Sequence, residues 1–285
     1  MKIPKYWAKG QPLSSQAGRG RFLFSCWGWS DSSLQDAANN AARRTSGLAA
    51  KAEAGARLDH YLYGEHLPLR EEIVQSVPGA NDDELAVVTR NGYGALVLNT
   101  ARAMFIDIDF PAGSPRKSAG GIFGSLFGKK PKDGPEQQSL ANIRGWASRR
   151  PGVGVRVYRT CAGMRCLITN QVFDPMESQT QAMLKDAGSD PLYIRLCQAQ
   201  TCFRARLTPK PWRCAIGRPP TRYPWSSREN EARFRQWQAE YERTIGNFSV
   251  CRLIEQIGSA DVHPEVEPIV ALHDKFTCQP DRELA

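Results

Sequence analysis

The stretch Phe105-Ile106-Asp107-Ile108-Asp109-Phe110-Pro111 sets two carboxylates two residues apart in an otherwise apolar run. Side chains of a strand alternate between its faces, so Asp107 and Asp109 share one face and Ile106, Ile108 and Phe110 the other. Aspartate is disfavoured in strands, and neighbouring carboxylates repel unless a positive charge sits between them. A hard divalent cation, Mg2+ or Mn2+, supplies that charge, takes oxygen ligands and leaves positions for phosphate oxygens. Asp107 and Asp109 are therefore candidate metal ligands and catalytic residues. The plainer alternative is a pair of solvated acids on an exposed strand end.

A second run, Phe203-Arg204-Ala205-Arg206-Leu207-Thr208-Pro209-Lys210-Pro211-Trp212-Arg213, alternates basic and apolar residues. As a strand it puts Arg204, Arg206 and Thr208 on one face. Guanidinium groups in a row make a phosphate clamp, which Lys210 and Arg213 extend. A solvated basic face is the competing explanation. A third segment, Val157 to Thr169, has the pattern of a hairpin turning at Cys161-Ala162-Gly163, with Arg165 near its tip and able to point at a phosphate.

Together these segments resemble the archaeo-eukaryotic primase superfamily, the primase-polymerases. Asp107-Ile108-Asp109 looks like its acidic first motif. Thr160 to Thr169 is similar to the second, a strand after a small-residue turn. Asp190-Pro191-Leu192-Tyr193, followed by Phe203 to Lys210, looks like the third, in which an acid and a tyrosine precede an arginine-bearing strand and a lysine. The three keep the family's order across residues 105–213. The resemblance implies two-metal nucleotidyl transfer acting on nucleoside triphosphate and nucleic acid. Asp107, Asp109 and Asp190 would be the catalytic carboxylates, and Arg165, Arg204, Arg206 and Lys210 the phosphate-binding cations. Two departures stand beside it. Where the family carries a histidine, this chain has Arg165-Cys166, and its histidines are His60, His66, His263 and His273. An arginine cannot take a titratable role. Asp190 also precedes Pro191, the pattern of a helix N-cap, and on that reading the third metal carboxylate is missing. A second reading is thus a catalytically degenerate relative that binds nucleotide or nucleic acid without turnover. A third is a protein-interaction factor.

The elements that would hold these residues are mixed. Phe22 to Trp27 has strand character. Residues 31–54 are alanine-rich and helical, with Ser30 or Asp31 as cap. Residues 69–77 carry the apolar spacing of a short helix. Leu85–Thr89 and Ala95–Leu98 flank Asn91-Gly92, a hairpin signature, and Met104–Phe110 makes a further strand. Residues 137–149 read as a helix through Leu140, Ile143 and Ala147. Asp174-Pro175-Met176-Glu177 and Asp190-Pro191 read as helix starts. Residues 228–257 read as a long amphipathic helical region. Hairpins without regular βαβ alternation imply an α+β fold, a largely antiparallel sheet flanked by helices.

Three regions are expected: a flexible basic arm over 1–20, an α+β domain over 21–225, and a C-terminal helical region over 226–285. The 111–136 loop is rich in Gly, Pro, Ser and Lys, a length of loop that is functional or disordered. Its Ile122-Phe123-Gly124-Ser125-Leu126-Phe127-Gly128 patch could dock a protein partner, as could the helix face of Phe234, Trp237 and Tyr241. Trp27, Trp29, Trp212 and Trp225 are candidates for base stacking, with core or interface packing as the commoner role. His273 beside Asp274, and His263 near Glu265, read as surface groups. Cys161 with Cys166 and Cys197 with Cys202 are spaced too widely for a usual zinc site, and no phosphate-loop, dinucleotide or zinc-protease motif occurs.

The chain has 285 residues, 41% of them hydrophobic, enough for a sizeable core. A formal net charge of +9 favours polyanionic partners. No run of roughly 18 apolar residues exists, so no membrane span is expected. The polar N-terminus lacks a secretory apolar region, and eight cysteines in so long a chain fit reduced thiols, so a cytoplasmic location is expected.

Overall fold

The computed structural model describes residues 1–17, 20–56, 67–79, 83–111 and 134–285. Nearly all of the 111–136 loop, with its apolar patch, and both His60 and His66 lie outside the described residues.

The chain opens with four short strands, β1 (Tyr6–Lys9), β2 (Leu13–Ala17), β3 (Gly20–Phe24) and β4 (Trp27–Ser30), followed by α1 (Leu34–Glu53). β1 pairs with β4 and β2 with β3, both antiparallel. This corrects the flexible arm expected over 1–20. Trp7 is buried, its ring centroid 5.8 Å from that of Trp29, and the apolar body of the arm is anchored on α1. The helix buries Ala37, Ala41, Thr45, Ala49 and Ala52, a narrow stripe at helical spacing. Small side chains let the strand backbone come close: a Cβ on Gly28 would lie 2.2 Å from the Ala41 nitrogen. Ser33, slightly beyond the residues expected to cap, accepts the Asp36 amide at 3.1 Å.

Then follow β5 (Glu72–Pro78), β6 (Glu84–Arg90), β7 (Leu96–Thr100), β8 (Phe105–Asp109), α2 (Pro135–Ser148), β9 (Gly154–Thr160), β10 (Gly163–Ile168), α3 (Ser178–Asp186), α4 (Pro191–Gln200) and β11 (Phe203–Arg206). The last part comprises α5 (Arg228–Ile245), β12 (Phe248–Ser249), β13 (Cys251–Gly258), α6 (Glu267–Thr277) and β14 (Glu283–Leu284). Two four-stranded sheets form the frame, in orders β11-β7-β6-β5 and β13-β9-β10-β8. All their ladders are antiparallel. The fold is α+β, as the hairpin pattern predicts.

Two helical expectations become strands. Residues 69–77 contribute β5, and the predicted 228–257 helical region ends at Ile245, leaving Cys251–Gly258 as β13. Residues 226–285 are accordingly no helical appendage, because β13 completes the second sheet beside β9.

A single apolar cluster runs through both sheets, from Leu98 and Ala205 in the first to Ile106, Val157 and Leu167 in the second. On the second sheet, α2 packs across β10 and β13, fixed at its ends by Arg159–Glu136 and Arg144–Glu255 pairs. α6 covers the opposite face, where His273 lies 5.3 Å from the Phe105 ring and 4.7 Å from that of Tyr158. The aromatic face of α5 forms its own cluster, Phe234, Trp237 and Tyr241, buried against Ile216 and Trp225. Those side chains are internal and present no docking face. No helix among the described residues is long and apolar enough to cross a membrane.

Candidate active site

β8 runs outward from the core. Phe105 and Ile106 are buried, Asp107 and Ile108 half-buried, and Asp109 exposed. Along one edge β8 pairs with β10, Asp107 opposite Arg165 and Asp109 opposite Gly163. The strand tips approach closely there, since a Cβ on Gly163 would sit 2.0 Å from the Ile108 oxygen. On the other edge the Asp190 amide donates to the Asp107 oxygen at 2.8 Å, and Ser189 Oγ donates to the same oxygen at 3.2 Å. Tyr193 then ties the two sheets together. Its hydroxyl donates to Phe105 O at 3.1 Å and accepts the Arg204 amide at 3.2 Å. Burial, first, and the nearby Cys197 raise its pKa well above the ordinary value, so it stays a donor.

That tie brings the segment after β11 to the acidic face. Partial burial raises the Asp109 carboxyl, and the charges of Asp107 and Asp190 raise it further, while Lys210 and Arg213 pull it down. Lys210 is lowered, first by partial burial and then by Arg206 and Arg213, with Asp109 and Asp107 opposing. Asp107, Asp109, Lys210 and Arg213 therefore occupy one electrostatic neighbourhood, which Arg206 joins through Lys210.

The other sequence candidates have different roles. Asp190 is the N-cap of α4, its carboxylate accepting the Leu192 and Tyr193 amides at 3.2 Å each. Its charge still reaches Asp109, but both oxygens are used for capping. Arg204 shares a face with Arg206, yet the expected clamp does not form. Arg204 is buried and donates to both carboxylate oxygens of Glu71, at 2.8 and 2.9 Å, so it is an internal ion pair out of reach of a ligand. Arg206 is half-buried, with its Nε lacking a partner. Arg165 is also buried. Its Nη1 donates to Arg206 O at 2.9 Å and lies 3.2 Å from His273 Nε2, which corrects the expectation that it extends from the hairpin tip toward a phosphate.

His273 is the residue that sequence reasoning misplaced, for it is fully buried. Arginine can only donate, so Nε2 accepts from Arg165 and the ring proton sits on Nδ1, facing Asp274 Oδ1 at 2.9 Å. Burial lowers its pKa to about 4, with the Asp274 hydrogen bond opposing and the Arg165 charge assisting. Asp274 is held below the usual aspartate range against the effect of burial, by hydrogen bonds from His273 and Tyr158 and by the charge of Arg156. The available signal was the spacing of Ile269, His273 and Thr277, one buried stripe of α6.

No cluster of three or more His, Cys, Asp or Glu side chains able to hold a metal occurs among the described residues. An open groove of about 600 Å³, lined in part by Arg150, Asn170, Met183 and Asp186, includes none of the acidic-face residues. No family model, curated protein or solved structure matches this chain.

Proposed function

We propose that this chain is a nucleotidyltransferase-like protein of primase-polymerase type that binds a nucleoside triphosphate with its divalent metal, and nucleic acid, at the Asp107–Asp109 face. One observation carries the reading: two carboxylates share the accessible end of β8 and face Lys210 and Arg213. Partial burial first, and then the charges of Asp107 and Asp190, raise the Asp109 carboxyl, and a divalent cation beside the two acids would offset the charge part of that rise. With two free acids and no third ligand group among the described residues, the donor set fits Mg2+ or Mn2+ arriving with phosphate oxygens. Magnesium commonly takes only one or two carboxylates beside substrate phosphates. When bound, such an ion offers Lewis-acid stabilisation to phosphoryl oxygens. The chain's own residues supply the rest: Asp107 and Asp109 hold the cation, and Lys210, Arg206 and Arg213 meet the phosphates. Partial burial first, and then repulsion from Arg206 and Arg213, lower the Lys210 pKa, and an anion placed between the cations would offset that repulsion.

The capped Asp190 favours a second reading, binding of nucleotide or nucleic acid without turnover. A cytoplasmic setting is consistent with eight free thiols. Incorporation of labelled nucleotide on a single-stranded template with Mn2+ separates the readings. Turnover by the wild type and background by Asp107→Ala plus Asp109→Ala supports the enzyme. Metal-dependent triphosphate binding without incorporation selects the second reading, and absence of both contradicts the proposal.

A further inference from the structure

We infer that Trp212 is a base-stacking platform for single-stranded nucleic acid, mounted beside the acidic face. The inference deepens the nucleic-acid part of the function proposed above and rests on it. Trp212 stands on the 3-10 turn Pro211–Arg213 with 45% of its surface exposed. Tryptophan is highly buried on average, so an indole left this open on a firmly held segment calls for an occupant. The base of the turn is fixed. The Leu96 amide donates to Thr208 Oγ1 at 2.8 Å. Tyr241 Oη, from the buried face of α5, lies 2.8 Å from Thr208 Oγ1 and 2.6 Å from Pro209 O. Pro211 O accepts the Cys214 and Ile216 amides at 2.9 and 3.0 Å.

The ring's neighbours point to a nucleic acid. Tyr93, from the turn between β6 and β7, meets it edge-on with centroids 5.3 Å apart. The Arg218 guanidinium lies over the ring at 5.2 Å and the Lys210 ammonium at 5.8 Å. A half-exposed indole with cations resting over it takes a stacked base and its flanking phosphates together once a cation moves off the ring, without base preference. Arg218 is exposed, and an exposed cation–π contact is weak enough for the guanidinium to move to a phosphate as a base takes its place. Lys210 links the platform to the chemistry. It lies over the Trp212 ring and also interacts electrostatically with Asp109 and Asp107. A strand stacked on Trp212 therefore leads from Lys210 toward the carboxylates.

The test is fluorescence anisotropy of a labelled oligothymidylate with the full chain in EDTA, so that binding is read without the metal site. Trp212→Ala should weaken binding about tenfold or more, while Trp212→Phe, which keeps an aromatic face, retains most of it. The salt dependence should stay the same in both, because no phosphate contact is removed. Thermal unfolding of Trp212→Ala should stay cooperative with only a small drop in midpoint, since 45% of that residue's surface is exposed. Wild-type affinity in Trp212→Ala, no binding by the wild type, or equal competition by duplex DNA or polyglutamate would each overturn the inference. Asp107→Ala plus Asp109→Ala measured in parallel keeps the two ideas apart. If that variant leaves manganese-dependent triphosphate binding unchanged while Trp212→Ala loses oligonucleotide, the metal-site reading fails and the platform stands.

Discussion

Glu71 and Arg204 lie 2.8 Å apart with both side chains buried, and Glu71 also accepts the Thr89 hydroxyl. Removing one partner leaves the other charge without compensation in the interior. Arg204→Met should therefore cost about 3–5 kcal/mol in denaturant unfolding, while Arg204→Met with Glu71→Leu should restore much of that loss. Nothing in the sequence near Arg204 marks it as an ion pair, because its partner is 133 residues away. Arg165 was hidden in the same way, since the Arg206 oxygen and His273 that it meets come from distant elements. Asp107 and Asp109, in contrast, were legible from strand alternation alone. The Asp109 carboxyl is raised above its ordinary 3.8 in the fold, so its contribution to stability is present at low pH and lost as pH rises through the folded value. Asp109→Asn should thus melt higher than the wild type near neutral pH without metal. Thermal scans from acid to neutral pH should show the gap between the two opening as pH rises.

The strands that sequence periodicity misread are both sheet edges. β5 ends the order β11-β7-β6-β5 and β13 ends β13-β9-β10-β8. Each carries an extra residue against its partner strand, Val74 between Ile73 and Gln75 in β5 and Ile254 between Leu253 and Glu255 in β13. A bulge puts one extra residue in the strand and breaks the two-residue alternation. Leu69, Ile73, Val74 and Val77 then imitate helical spacing, as do Leu253, Ile254 and Ile257. The central hairpins β6–β7 and β9–β10 keep their alternation and were readable. Gly163 shows how tightly the site depends on such an element. Gly163→Ala would press against the Ile108 oxygen and should cost about 1–3 kcal/mol. It should weaken metal-dependent ligand binding more than its stability loss explains, because β8 must shift. Titration beside a thermal melt checks both.

Across the whole molecule, two sheets share one core and meet where β8 and β11 approach. The Tyr193 hydroxyl bridges that junction, so Tyr193→Phe leaves Phe105 O and the Arg204 amide without it. The expected loss is about 1–3 kcal/mol by chemical denaturation. The junction also explains how acids from one sheet come to face cations that follow a strand of the other, a convergence that net charge of +9 alone does not foretell. The most direct measurement is calorimetric titration of a nucleoside triphosphate in Mn2+ and in EDTA, with the wild type and Asp107→Ala plus Asp109→Ala. Binding by the wild type that requires Mn2+ and disappears in the variant is the result expected. Binding that is the same in Mn2+ and EDTA, or unchanged in the variant, would contradict a metal-triphosphate site at Asp107 and Asp109.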